Sequence, residues 1–335
     1  MQDLIKRLVE LYGPTGREEQ VAQYISDVME PLVDQIHTDA MGNLIAIKRG
    51  PADAKKIMLA AHMDEIGVII TDIDDDGFLR FSNIGGVSPF TLIGQRVRFA
   101  DGTIGVFGQE KLDEIKDLKF SKMFIDIGAT SRQEAETKVN IGDAGVYHRE
   151  FTLQGQRVIA KSLDNRIGCA VLIETARRLQ TSPHEIYFVF TSQEEVGLRG
   201  ARTAAYSIDP DYGIAVDVTG TGDTPEAPRM AVSLGKGAAI KVKDRSVITH
   251  PKVKDLLVNT AKAKGISYQM EVLERGGTDA GSIHLTRSGV PTGAVSIPSR
   301  YIHTPSEMVD LGDVDDCVKL LVAALEGPWT RAIEE

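Results

Sequence analysis

The chain has 335 residues, room for two domains of ordinary size. Hydrophobic residues make up 42% and charged residues 26%, a globular composition with enough apolar material for a core. The formal net charge of −10 argues against nucleic acid or an anionic membrane surface as a partner.

The first segment, MQDLIKRLVELYG, mixes charges among its apolar residues, unlike a signal peptide, and no apolar run approaches membrane-spanning length. A cytoplasmic protein is expected. Cys169 and Cys317 are the only cysteines, and both are expected as buried small hydrophobes in a reducing compartment.

Leu4, Ile5, Leu8, Val9 and Tyr12 repeat at helical spacing. GPTG breaks that helix, and Thr15 with Glu18 reads as a capping box opening a second one. Two strands around Gly42–Asn43 follow, then the apolar strand IMLAAHM. From 66 to 150 the chain is β-rich, with turns at DDDG, NIGG and ADGT, and is expected to form its own small barrel or sandwich. Only SRQEAETKV looks helical there, capped by Ser131 with Glu134. After 150, strands and helices alternate to the closing helix VDDCVKLLVAALEG, which indicates a layered α/β sheet. The expected organisation is a discontinuous α/β domain, 1–65 and 151–335, interrupted by an insert at 66–150.

Five stretches carry possible chemistry. In HMDEIG, His62 and Asp64 lie two apart at a strand end and point the same way. Asp64 can then accept from one ring nitrogen of His62 and leave the other free for a metal. Alone, H-x-D is a weak signal, and a solvent-exposed loop at the strand end is the favoured reading. Asp164 in SLDNRIG sits where a strand-like segment turns into a helix, and alone it reads as an N-cap. Glu194 and Glu195 in TSQEEVG follow a buried strand, where either a solvated charge pair or a ligand set fits. Asp217 interrupts the apolar run YGIAVDVT, which a bland reading explains poorly. His303 lies just past the strand PTGAVSI and taken singly is an ordinary structural histidine. Together they differ: strand ends of an α/β sheet converge on one edge. Two histidines and three carboxylates without cysteine suit Zn²⁺, Co²⁺ or Mn²⁺ in a hydrolytic two-metal centre.

Other motifs rank lower. Asp72, Asp74, Asp76 and Gly77 open like a calcium loop, but Asn83 stands where a glutamate is needed and strands flank it, so a hairpin turn is expected. His37, His148, His184, His250 and His284 have no partner pattern. There is no phosphate-loop, dinucleotide or G-x-S-x-G motif.

The order of AAHMDEIG, SLDNRIG, SQEEVGLRGA, AVDVTGTGDTPE and GGTDAGSIHLTRSGVPTGAVSIPSRYIHT resembles the tetrahedral (TET) aminopeptidases, co-catalytic zinc peptidases that include leucyl, glutamyl and deblocking enzymes. The resemblance spans essentially the whole chain. An insert between His62 and Asp164, rather than before the last histidine, also matches that family and not the related carboxypeptidases and deacylases. It implies a zinc-exopeptidase-like α/β domain with a small barrel-like domain inserted, and two divalent ions per subunit, zinc first and cobalt or manganese next. It implies that Asp164 bridges them, that His62 and Asp217 complete one site and Glu195 with His303 the other. Glu194 is then the general base and Asp64 the orienting residue. A metal-activated hydroxide would attack the first peptide bond of short peptides with a free N-terminus. The family also implies a dodecamer built from dimers, with the insert at subunit contacts. No dedicated charged pocket is evident, so neutral, leucine-like first residues are expected over glutamyl. The alternatives are an amidase or deacylase of the same clan, a glycoside hydrolase, less favoured, since some members carry an endoglucanase label, and a non-catalytic metal-binding shell protein.

Overall fold

The computed structural model describes residues 1–329; residues 330–335 of the expected final segment lie outside the described residues. The chain opens with α1 (Gln2–Glu10) and α2 (Glu19–Met29), the hairpin β1 (Gln35–Thr38) and β2 (Leu44–Lys48), and β3 (Lys56–His62). Then come β4 (Gly67–Ile73), β5 (Leu79–Ile84), β6 (Arg96–Phe99), β7 (Ile104–Gln109), β8 (Met123–Asp126), α3 (Arg132–Glu136) and β9 (Ala144–Tyr147). The remainder is β10 (Thr152–Gln154), β11 (Arg157–Ala160), α4 (Leu163–Arg178), β12 (Glu185–Thr191), α5 (Arg199–Ile208) and β13 (Tyr212–Thr219). It ends with β14 (Ala238–Lys243), α6 (Pro251–Lys264), β15 (Tyr268–Val272), α7 (Ala280–Ile283), β16 (Thr292–Arg300), β17 (Glu307–Asp310) and α8 (Leu311–Glu326).

An 11-stranded mixed sheet runs β1-β2-β12-β3-β13-β16-β17-β11-β10, with β14 joining β15 to β16. Its centre, β12, β3, β13 and β16, is parallel, and all eight residues of β13 are buried. Near-continuous apolar runs are what a strand covered on both faces requires. One face, with Leu59, Phe188, Phe190 and Val216, packs on α1, α2, α4, α6 and α8. The opposite face, with Met58, Ala60 and Val189, packs on α5 and α7. Each fully buried Leu, Ile or Phe contributes about 1.5–3 kcal/mol over its exposed state.

The β-rich segment closes into a six-stranded barrel, β4-β5-β8-β7-β6-β9, when β9 pairs back on β4. Its interior holds Val68, Ile70, Phe81, Val97, Phe99, Phe107 and Ile125. The barrel-or-sandwich choice left open by the sequence is thus decided. The DDDG segment is the β4–β5 turn, where Asp74 accepts from the Phe78 amide and Gly77 takes φ +90. Ser131 caps α3 by accepting from the Glu134 amide, but the helix is only five residues long.

One expectation fails. Thr15 and Glu18 do not form a capping box, and α2 has no side-chain cap at Glu18. Thr15 donates to the Asp64 carboxylate at 2.8 Å, and Glu18 accepts from the amides of Gly16 at 2.8 Å and Gln193 at 3.1 Å. Tertiary partners at the sheet edge outcompete the local motif.

Candidate metal centre

The parallel strands end in register along one edge. His62 closes β3 opposite Thr191, the last residue of β12, and Asp217 lies near the end of β13. Asp164 sits at the start of α4, where its backbone (φ −75, ψ 103) departs from the helix. His303 follows β16 with φ +64, in the left-handed region that a β-carbon disfavours. Glu194 and Glu195 occupy the loop after β12. All seven expected site residues therefore meet at this edge.

Asp164 lies between the two histidines. Its Oδ1 is 3.1 Å from His62 Nε2, and its Oδ2 is 3.2 Å from His303 Nε2. His303 Nε2 is also 3.3 Å from Glu195 Oε1. On the other side, His62 Nε2 is 3.8 Å from Asp217 Oδ1 and 3.9 Å from Glu194 Oε2. Two donor triads result among the described residues, His62–Asp164–Glu195 and His62–Glu194–Asp217, each with its ligand atoms within 4.8 Å of one another. Glu194 falls inside the second triad, so proximity alone does not separate a base from a ligand.

Asp64 is fully buried and organises the site from behind. His62 Nδ1 is 3.1 Å from the Asp64 carbonyl and 3.4 Å from its carboxylate, so the orienting contact divides between the two. The carboxylate accepts from the Glu194 amide at 3.0 Å and the Glu195 amide at 3.1 Å. With Nδ1 donating, His62 Nε2 is free to ligate. Arg166, also fully buried, donates to the carbonyls of Leu8, Gly13 and Met63 and to Glu65. It ties the segment after β3 to the N-terminal loop.

The electrostatics follow from crowding. Burial pushes Asp217 and Glu194 well above the ordinary carboxylate range, and Glu195 also upward, each moderated by a histidine. For Asp164 burial acts upward too, but bonds from His303 and His62 prevail and hold it low. Burial alone would lower both histidines; instead their carboxylate neighbours raise His62 strongly and His303 to about 12. A site that grips protons this way carries excess negative field, and metal binding exchanges such protons for cations. Hard and borderline nitrogen and oxygen donors, no thiolate, and one carboxylate facing both histidines all fit two divalent ions.

A cavity of about 380 Å³ opens on the cluster. Besides the ligand-type residues it is lined by Leu198, Val218, Leu273 and Ile302, by Thr219, and by three glycines, with no lysine or arginine among them. Arg300, close in sequence, is committed to Asp223 at 2.7 and 3.0 Å.

Sequence reasoning missed four contributors. Glu307 accepts from the amides of Asp164 and His303. Asp279, inside GGTDAG, is buried and accepts from the Thr191 hydroxyl at 2.6 Å. Burial pushes Asp279 up to about 6. The barrel also reaches the site: a β-carbon on Gly86 would lie 2.3 Å from His303 Nδ1, and one on Gly85 3.2 Å from Glu195. NIGG was visible only as a turn.

Comparisons with known proteins point to one family. A family model described as M42 glutamyl aminopeptidase matches residues 42–320. A relative in Acetivibrio thermocellus, provisionally named an aminopeptidase, is 56% identical over 326 residues, 97% of this chain and 98% of its own. The lysyl aminopeptidase of Pyrococcus furiosus is 38% identical over 338 residues, 97% of this chain and 96% of its own. An aminopeptidase structure from Desulfurococcus kamchatkensis superposes with TM-score 0.95 at 41% identity, covering 99% of this chain and 97% of its own. A Pyrococcus horikoshii TET1 peptidase, described as able to assemble into a tetrahedron or a large octahedral shell, has TM-score 0.88 at 34% identity over 98% and 99% of the chains. A Thermotoga maritima structure named endoglucanase has TM-score 0.83 at 34% identity over 96% of each chain.

Proposed function

The chain belongs to the M42 glutamyl aminopeptidase family, and from that premise we propose that it removes N-terminal residues from short peptides at a centre of two divalent ions. The observation that carries this reading is Asp164, which presents one oxygen to each histidine. Asp164 would be held in common by both ions, with His62 and Asp217 completing one site and Glu195 and His303 the other. The ions, when bound, polarise the scissile carbonyl and make water nucleophilic near neutral pH. Zinc is the first candidate by donor chemistry, with cobalt or manganese next.

Glu194 takes the proton of the attacking water and delivers it to the leaving amine. Asp64 keeps Glu194 and Glu195 facing opposite ligand groups by holding both of their amides. An ammonium at the substrate N-terminus suits an acidic edge, whereas a terminal carboxylate is repelled. The apolar wall of Leu198, Val218, Leu273 and Ile302 accepts a neutral, leucine-like first residue and offers no cation to a glutamyl one. A glycoside hydrolase needs an acid and a base or nucleophile carboxylate, not two histidines clamped on one aspartate.

The test is a leucyl peptide beside its N-acetylated form, with and without a chelator. Rapid, chelator-sensitive cleavage of the first alone is expected. Equal cleavage of both would turn the reading to a deacylase or endopeptidase. Fast glutamyl and no leucyl hydrolysis would overturn the specificity.

We propose a dodecamer of dimers joined through the barrel insert; the Pyrococcus horikoshii TET1 peptidase, able to assemble into a tetrahedron or a large octahedral shell, supports a large assembly, and a monomer by light scattering at micromolar concentration would refute it. No helix among the described residues is long and apolar enough to cross a membrane. Two free, buried cysteines agree with a cytoplasmic setting.

A further inference from the structure

Glu307 opens β17, opposite Ala160 at the end of β11, and is 2% exposed. Its Oε2 accepts from the Asp164 amide at 2.8 Å, and its Oε1 accepts from the His303 amide at 2.9 Å. These amides belong to residues in irregular backbone. Asp164 lies in the first turn of α4, where amides have no intrahelical acceptor. His303 sits at φ +64 beyond the end of β16. One carboxylate therefore joins two chain segments that are 139 residues apart in sequence (164 and 303) and carry adjacent donors of the cluster.

The charge on Glu307 is not there for its own comfort. The side chain is buried, where a carboxylate is costly to hold. A neutral side chain would fill this place in the fold with less cost. A glutamine would not reproduce the contact, because it has one acceptor atom and its amide nitrogen would face a second N–H. Only a carboxylate of this length satisfies both amides at once.

We propose that Glu307 is a positioning residue of the metal centre: by holding the amides of Asp164 and His303 with its two oxygens, it sets the spacing of the shared ligand and the terminal histidine. It touches neither ion nor substrate. Its action falls chiefly on the side of the centre formed by Glu195 and His303, where it holds both Asp164 and His303; the other side feels it only through Asp164, since the His62 and Asp217 backbones are fixed by β3 and β13. The inference rests on the two-ion reading above.

The experiment is equilibrium dialysis of metal-free wild type and Glu307→Gln against Co²⁺, with thermal melts of both metal-free proteins. Wild type is expected to bind two Co²⁺ per chain. The variant is expected to bind one ion with the smaller loss of affinity, felt through Asp164 alone, and the second roughly 10–100-fold more weakly, the scale of outer-shell substitutions. Its metal-free melt should stay within a few degrees of wild type. Two Co²⁺ at wild-type affinity in the variant would overturn the inference. So would a metal-free melt far below wild type, which would make Glu307 a fold residue. Wild type binding fewer than two Co²⁺ would overturn the two-ion reading and this inference with it.

Discussion

Gly86→Ala tests whether the barrel insert shapes the active edge. The backbone of Gly86 lies outside the left-handed region, so alanine costs it little locally, but its methyl would lie 2.3 Å from His303 Nδ1 and 2.6 Å from Cε1. Carbon contacts settle near 3.5 Å, so the ring or the loop must give by about 1 Å. His303 is held through its amide by Glu307, and Gly85 is already close to Glu195, so the ring has little room to retreat. Overpacking of this size costs about 1–3 kcal/mol of stability. A misplacement near 1 Å at the chemistry costs on the order of 100-fold in rate. The assay is kcat on leucyl p-nitroanilide alongside metal content and thermal melting. Gly94→Ala is the control, because its β-carbon would meet nothing within 4 Å while its φ of +70 carries the backbone strain. Gly86→Ala should lose about two orders of magnitude in kcat with a modest melt shift, and Gly94→Ala should lose stability alone. A Gly86→Ala enzyme with wild-type kcat and full metal would refute the reasoning, showing that the loop yields and the barrel does not set His303.

Further outcomes follow from the same geometry. Glu194→Gln should keep both ions and lose roughly 10²–10⁴-fold in turnover, whereas Glu195→Gln should lose an ion; the reverse pattern by metal analysis would exchange their roles. Asp217→Ala and His303→Ala should each retain one ion and almost no activity, and full activity in either would break the assignment. Burial, reinforced by Asp64, pushes Glu18 up to about 7 from an ordinary 4.5. The folded state thus holds this proton longer than the unfolded one, so stability falls as pH rises from about 4.5 to 7, by up to about 3 kcal/mol. Urea unfolding of Glu18→Gln should show a flatter profile over that window; parallel wild-type and variant profiles would contradict it.

The candidate cluster was legible because four of its five residues lie at or just past an apolar strand and the fifth, Asp164, opens α4, and parallel strands in one sheet deliver their ends to one edge. Asp217 was the clearest case, an acid inside a fully buried run. What was not readable depends on partners far along the chain. Thr15 and Glu18 fit a local capping pattern, yet Thr15 turns to Asp64, 49 residues away, and Glu18 divides between Gly16 and Gln193, the latter 175 residues away. Barrel closure rests on two β4–β9 residue pairs between strands that begin at Gly67 and Ala144. Glu307 has no periodicity around it and matters only because two distant amides converge on it. Strands β10 and β17 escaped notice because they are short, and β14 because its place in the sheet comes from pairing with β15 and β16 further along the chain.

These hidden contacts share a logic. Buried carboxylates usually need a cationic partner or several hydrogen bonds. Here amides and hydroxyls do most of that work: Asp64 has the amides of Glu194 and Glu195, Glu307 those of Asp164 and His303, Glu18 those of Gly16 and Gln193, and Asp279 the Thr191 hydroxyl. The nearby buried cations, Lys161 and Arg166, are committed to Glu65 and to main-chain carbonyls. Neutral donors fix the geometry of the acids without cancelling their charge. A lysine or arginine in the same place would compensate the cluster permanently and compete with any divalent ion. Leaving such a side chain out of the cavity keeps the negative field for the ions and for an incoming ammonium, at the expense of a protein that is less stable without metal.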